Sequence, residues 1–220
     1  MKTYNELQEG VYDPNIFKAF FLAGGPGSGK SYVVRKTTGG TGLKSVNSDA
    51  AFEKLLKAAN LSLKMPDSEL DARTPVRDRA KEIAKKQQKN YVEGRLGLVI
   101  DGTGHNYDKI ATQSNDLRQL GYDTHMIYVN TSLDVALERN AKRSRSVPES
   151  IVIKSWKEVQ MNIGKFNNHF KSDMIIVDNN DPDEDIIQQV YKRIQGLLRK
   201  KIKNTRAKAW IENELAQKKR

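Results

Sequence analysis

Residues Gly24 to Ser31 read GGPGSGKS and join a short apolar run, Ile16 to Ala23, to the segment YVVRKTTGG. Glycine, four spacers, glycine, lysine and serine between a strand pattern and a helix pattern leave the chain few options. Gly24, Gly25, Gly27 and Gly29 permit positive φ and let backbone N–H groups close on an anion, with Pro26 and Ser28 shaping the turn between them. The helix that begins at the loop's end adds positive potential there. Lys30 is placed to reach terminal phosphates, Ser31 offers a hydroxyl to Mg²⁺, and Tyr32 opens the helix beside the nucleotide. The nest fits a triphosphate with magnesium, so ATP and Mg²⁺ are the expected ligands.

Downstream, strand and helix patterns alternate. LKSVN from Leu43 runs into Asp49 and AFEKLLKAAN; a charged helical stretch covers Asp67 to Glu93; LGLVI ends at Ile100 before DGTGHN. A helix from about Asp108 to Leu120 is capped by Gly121, and THMIYVN, SLDVALERNAKR, a helix opened by Pro148 and DMIIVD follow. Such alternation predicts an α/β fold, a phosphate-loop three-layer sandwich with a mostly parallel sheet and helices on both faces. The core is expected over 1–181, with a lid near 139–148 and a basic helical extension over 182–220. In that extension Ile186, Val190, Ile194, Leu197 and Ile202 mark an amphipathic helix, and Trp210, Ile211 and Leu215 a last short one.

The formal net charge is +11 over 220 residues, and its position matters more than its size. Lys192 to Arg220 holds 11 Lys and Arg against Glu212 and Glu214, whereas the preceding residues carry 27 against 25. Basicity is therefore a property of the tail, which is either a solvated helical face or a polyanion contact. The chain has no cysteine, no membrane-length apolar run and no secretory signal, so a reducing cytoplasm is the expected location.

Asp49 follows the second strand, at the carboxyl edge where open α/β sheets bind ligands. A carboxylate there can orient an acceptor hydroxyl and take its proton as general base; it can equally cap the helix that follows. Asp101 ends an apolar strand, the arrangement that holds magnesium, usually through water. Gly102, Thr103 and Gly104 either bring backbone to a ligand or make the turn, and His105 reads as a turn or cap residue. Arg139 and Arg143 lie four apart before the basic loop Ser144, Arg145, Ser146. Such cations can close over a nucleotide and neutralise charge developing on a transferring phosphoryl group.

The ordered set GGPGSGKS, VNSDAAF, LVIDGTG and RNAKRSRSVP resembles the phosphate-loop kinases typified by bacteriophage polynucleotide kinase and the zeta-toxin kinases, over roughly residues 17 to 180. The resemblance implies Lys30, Asp49, Arg139 and Arg143 as catalytic residues. Within it the lid run, with Asn140, Lys142, Val147 and Pro148, is the more specific part, because general phosphate-loop chemistry does not demand it. Where the polynucleotide kinase has a substrate-phosphate arginine, this chain has Ala50, Ala51 and Phe52. Arg73, Arg77 and Arg79 are the candidate substitutes, and Arg73, Arg77, Thr103 and Arg145 the candidate substrate-binding residues. No phosphatase signature of the Asp-x-Asp-x-Thr kind is present.

These features together predict an ATP-dependent phosphotransferase acting on a hydroxyl of nucleic acid, either a 5′ end or a hydroxymethyl pyrimidine in DNA, in a phage-encoded setting that the resemblance implies. The alternatives are a zeta-toxin-like kinase of a nucleotide sugar or small metabolite, a nucleoside monophosphate kinase, and a non-catalytic ATP-gated module that binds nucleic acid through the tail.

Overall fold

The structure, a computed structural model, describes residues 10–143, 145–181 and 183–218. Its five strands are β1 (Lys18–Ala23), β2 (Lys44–Val46), β3 (Leu98–Ile100), β4 (Asp123–Asn130) and β5 (Met174–Asp178). All pairings are parallel, in the order β2-β3-β1-β4-β5, with Phe20 opposite both Val99 and His125. Every residue of β1 is buried, as expected of a central strand covered on both faces.

The helices are α1 (Lys30–Thr38), α2 (Ser48–Ala58), α3 (Leu70–Glu93), α4 (Tyr107–Gln119), α5 (Leu133–Ala141), α6 (Glu149–Phe170), α7 (Glu184–Leu198) and α8 (Thr205–Lys218). Alternation of side chains divides the core in two. Phe21, Ile100 and Met126 face one side, under Ile110 of α4 and Val159 and Phe166 of α6. Phe20, Val99, Ile127 and Ile175 face the other, under Val33 of α1 and Ile187 and Ile194 of α7. Three layers result, and every strand's carboxyl end emerges along one edge.

Two strands begin later than their apolar runs imply. The Asp13 carboxylate accepts hydrogen bonds from the backbone N–H groups of Asn15 and Gly97, both at 2.8 Å. Those donors are thereby committed to a turn, so β1 starts at Lys18 and β3 at Leu98.

The basic C-terminal segment is held against the sheet. Asp183 caps α7, its side chain accepting from the Ile186 N–H at 2.8 Å. Beyond α7, Lys18 at the start of β1 donates to the Lys200 carbonyl at 2.9 Å and to Asp123 at 2.6 Å. Lys200 itself pairs with Asp173, just before β5, at 3.1 Å. These contacts fix 199–203 at the amino edge of the strands, whereas the glycine loop follows their carboxyl edge. A six-residue strand separates the two by about 20 Å. Then α8 docks: Ala207 is fully buried beside Gly121, and Trp210 packs edge-on against Phe17 with ring centroids 5.6 Å apart.

Because Trp210 shields Phe17 from the side away from the loop edge, Trp210→Ala is expected to lower unfolding free energy by about 2 kcal/mol. Urea unfolding measures this loss, while nucleotide affinity of the folded fraction should stay unchanged.

Candidate active site

Of the four loop glycines, Gly24, Gly27 and Gly29 take positive φ and Gly25 does not. Gly27 and Gly29 have φ of 80° and 82°. A Cβ on Gly27 would lie 2.0 Å from the Ala136 carbonyl oxygen, and one on Gly29 2.3 Å from the Asn179 side-chain nitrogen. Hence α5 and the exit of β5 press directly on the loop, and only glycine fits. Asn179, almost wholly buried, donates to the Ser28 carbonyl at 2.7 Å and so clamps the loop from the exit of β5. Sequence reasoning passed over Asn179; its place after an apolar strand at the carboxyl edge is the signal that could have found it.

Lys30 folds back, its ammonium donating to the Gly24 carbonyl and lying 3.5 Å from that of Gly25. Burial pushes the Lys30 ammonium down, against the opposing charges of Asp101 and Asp49. Asp101 is pushed the other way: burial raises its carboxyl, while the Lys30 charge and the Gly102 N–H partly counter this. Its Oδ1 is buried with no hydrogen-bond partner among the described residues. Such an oxygen is what a magnesium-bound water or a cationic side chain would meet. Ser31, at the first turn of α1, is exposed and lines the same cavity. No group of three or more His, Asp or Glu among the described residues is arranged to hold a metal unaided. Ser31 and Asp101 therefore fit magnesium only as partial oxygen donors, with water and phosphate completing the shell.

Asp49 does not cap its helix with its side chain. That task falls to Asn47, whose side chain accepts from the Asp49 N–H at 2.7 Å. Freed of capping, the Asp49 carboxylate is shared between two arginines. Arg77 of α3 donates to Oδ1 and Arg145 of the loop after α5 to Oδ2, each at 2.8 Å. Arg77 is stacked over Phe52, 4.7 Å from the ring centroid, and Phe52 is buried with Leu56 and Ala80 between α2 and α3. Burial alone would raise the Asp49 carboxyl, but the hydrogen bonds and charges of Arg145 and Arg77 outweigh it and hold the group at about 2.

The basic residues around the lid separate into different roles. Arg139 is tied to the carbonyls of Asn179 and Asn180 at 2.6 and 2.9 Å, beside Gly29. Arg143 lies past the end of α5, so the two do not share a helix face as their spacing implies. The helix stops because Asn140 draws the chain around: its amide donates to the Val147 carbonyl at 2.8 Å and accepts from the Val147 N–H at 3.1 Å. That closed ring presents Arg143 and Arg145 to the cavity. Of the other candidates, Arg73 donates to the Pro66 carbonyl at 3.0 Å and lines the cavity, and Thr103 hydrogen-bonds the ring of His105. Arg79 is exposed and does not line it.

One cavity of about 830 Å³ joins the glycine loop, Asp49, Asp101 and the lid arginines, with Tyr32 at its rim. Its walls thus combine a glycine loop, the carboxylates of Asp49 and Asp101, and arginines from α3, α5 and the loop after α5. A family model described as Zeta toxin matches residues 5–190, most of the chain. The chain belongs to the zeta-toxin family of phosphate-loop kinases. No curated protein matches its sequence. Among solved structures, a gluconokinase from Sinorhizobium meliloti 1021 is similar with a TM-score of 0.53 and 15% identity, covering 84% of this chain and 95% of the other. A structure of the Pnkp1/Rnl/Hen1 RNA repair complex matches with a TM-score of 0.52 and 18% identity, over 69% of this chain and 47% of that one. At these identities the likeness is one of fold, and it agrees with the parallel order found here. No helix of the described residues is long and apolar enough to cross a membrane.

In this zeta-toxin family kinase the Asp49 clamp makes a titration prediction. With both arginines present the carboxylate stays ionised down to about pH 3, and its contribution to stability is lost as pH falls from the ordinary value, ~3.9, through about 2. Arg145→Gln should raise the Asp49 pKa, and Arg77→Gln/Arg145→Gln should raise it further, since burial, the largest influence on the group, then meets only the weaker pull of Lys30. Carbonyl NMR of the Asp49 side chain reads both. Gly27→Ala, meeting a backbone oxygen, is expected to lose nucleotide binding and at least about 2 kcal/mol of stability, measured by titration and thermal unfolding.

Proposed function

We propose that this kinase transfers the γ-phosphoryl group of ATP to a hydroxyl, with Asp49 orienting the acceptor and receiving its proton. What supports the reading is the single cavity that the glycine loop, Lys30, Asp49 and Asp101 line together, with Lys30 close enough to feel both carboxylates. Phosphoryl transfer needs little covalent help; it needs in-line placement of the hydroxyl and cations around the equatorial oxygens.

The residues divide that work. Backbone N–H groups of Gly25 to Ser31 cradle the phosphates, and Lys30 exchanges its Gly24 carbonyl for a phosphate oxygen. Ser31 directly, and Asp101 through water, would hold Mg²⁺, which when bound neutralises charge on the β- and γ-phosphates. Arg143 and Arg145 approach from the lid, and Arg139 braces the loop through Asn179 and Asn180. The acceptor oxygen bonds to the γ-phosphorus as the bond to the bridging oxygen breaks; ADP leaves, and the acceptor's proton passes to Asp49.

Arg145 tunes that last step. While both arginines hold it, Asp49 is a weak base at about 2. Movement of Arg145 from Oδ2 to the transferring phosphoryl group bares one carboxylate oxygen and raises its basicity just as the acceptor arrives. Arg77, pinned on Phe52, keeps the other oxygen in place.

The acceptor we favour is a nucleic-acid hydroxyl, at a 5′ end or on a hydroxymethyl pyrimidine, on the strength of the lid motif and the cationic acceptor side. A second reading, a nucleotide sugar or small metabolite, is favoured by one observation: the basic segment 199–203 lies at the opposite edge of the sheet from the cavity.

The test offers γ-labelled ATP with 5′-hydroxyl oligonucleotides, hydroxymethylated DNA, nucleotide sugars and nucleosides. Asp49→Asn is expected to lower transfer by about 10²- to 10⁴-fold with ATP affinity retained. Undiminished transfer by Asp49→Asn would reject the base assignment and favour an acceptor that is already anionic, such as a nucleoside monophosphate. Label reaching none of the acceptors would reject the transfer reading for these substrates.

A further inference from the structure

The sequence of α3 places Lys81, Lys85 and Lys89 four apart, in a row along one helix face, and Ala84, Gln88 and Val92 in the row beside it. On α4 the corresponding face carries Lys109, Ile110, Gln113 and Leu117. These two faces do not meet. The upper part of α3 packs on α2, where Ala80 and Val76 close over Phe52 and Leu56, and that draws it away from α4. Between the two helices a crevice of about 690 Å³ opens over the sheet, floored by Phe21, Val46 and Ile100. Its size is that of an ordinary small-ligand site, where ~300–1,000 Å³ is typical.

Two properties distinguish this crevice from a mere gap in packing. First, it is continuous with the reaction cavity: Lys81, Asp101, Thr103 and His105 line both. Second, it is amphipathic in a defined way, with an apolar floor, three lysines along the α3 rim and Lys109 on the α4 rim. Lys81 is paired with Asp78 at 2.9 Å and Lys89 with Glu93 at 3.9 Å. The ammonium groups of Lys85 and Lys109, one from each wall, have no hydrogen-bond or ion-pair partner among the described residues. Asp116 also lines the crevice, beside Leu117 and Leu120.

We propose that this crevice is a second subsite for the acceptor, in which an apolar, flat portion lies on Val46 and Ile100 while a phosphate carried by the acceptor is held between Lys85 and Lys109. The inference rests on the reading that the acceptor hydroxyl is presented at Asp49, and it adds that the acceptor is itself phosphate-bearing. An uncharged sugar or nucleoside leaves both lysines unused and binds weakly. A phosphodiester next to a terminal nucleoside and the diphosphate of a nucleotide sugar offer the same chemistry, and the assay separates them.

The decisive experiment is equilibrium binding by calorimetry, with the phosphate loop first saturated by magnesium and a non-hydrolysable ATP analogue. The probes are a 5′-hydroxyl dinucleotide, a nucleotide sugar and an uncharged nucleoside. One phosphate-bearing probe is expected to bind at least about tenfold tighter than the nucleoside, and Lys85→Gln/Lys109→Gln to weaken that probe about tenfold or more while leaving the ATP analogue and the nucleoside unchanged. Ala84→Phe, which fills the crevice without altering charge, should weaken the same probe. Which probe is preferred identifies the source of the phosphate. Equal binding of all three probes, or unchanged binding by both variants, overturns the subsite. Because the readout is binding, loss of phosphoryl transfer in every assay would reject the kinase chemistry alone, and intact transfer with unchanged binding in the lysine variant would reject the crevice alone.

Discussion

Parallel pairing of all five strands is the constraint from which the site follows. When every strand runs the same way, each carboxyl end delivers its next residues to one edge, and side chains far apart in sequence converge without long loops. From β1 comes the glycine loop, from β2 Asn47 and Asp49, from β3 Asp101, and from β5 Asn179. Helices return the chain on both faces, and their burial of Phe20 and Phe21 on opposite sides holds that edge rigid. Precision at the site is thus inherited from the core, not from the loops themselves.

Within this frame the electrostatics are arranged as opposed pairs. Lys30 and Asp101 are each disfavoured by burial in the charged form, and each relieves the other. Asp49 departs from that pattern, since two guanidinium groups overcompensate its burial. Under the proposed reaction, a carboxylate so stabilised is held in place and poorly basic, a combination that suits chemistry limited by alignment more than by proton transfer. Arg77 is stacked on a buried aromatic ring, whereas Arg145 belongs to the loop after α5, so the two reach Asp49 from different elements. Asn140 matters in the same way, as the residue that shapes the loop carrying Arg145.

Much of this was legible in the residues. The glycine loop, the alternation of strands and helices and the carboxyl-edge positions of Asp49 and Asp101 follow from local pattern, because each is set by neighbours within a few residues. Other features were not legible, since they depend on which helix faces which. Arg77 stood among several basic residues with nothing to mark it, and only the packing of α3 on α2 brings it to Asp49. Arg139 and Arg143 have helical spacing, yet the helix ends between them because a side chain seven residues upstream captures Val147. Charge counting in the C-terminal segment located the basicity but not its edge of the sheet; the buried Lys18 ammonium, bonded to the Lys200 carbonyl, decides that.

Capturing the kinase with magnesium, a non-hydrolysable ATP analogue and the acceptor that takes up label tests the central claim most directly, by determining the structure of that complex. The account predicts the acceptor hydroxyl within hydrogen-bond distance of the Asp49 carboxylate and in line with the γ-phosphorus, Arg77 still on Asp49, and Arg145 moved onto the phosphate. An Asp49 that keeps both arginines while the hydroxyl approaches the phosphorus elsewhere would contradict it.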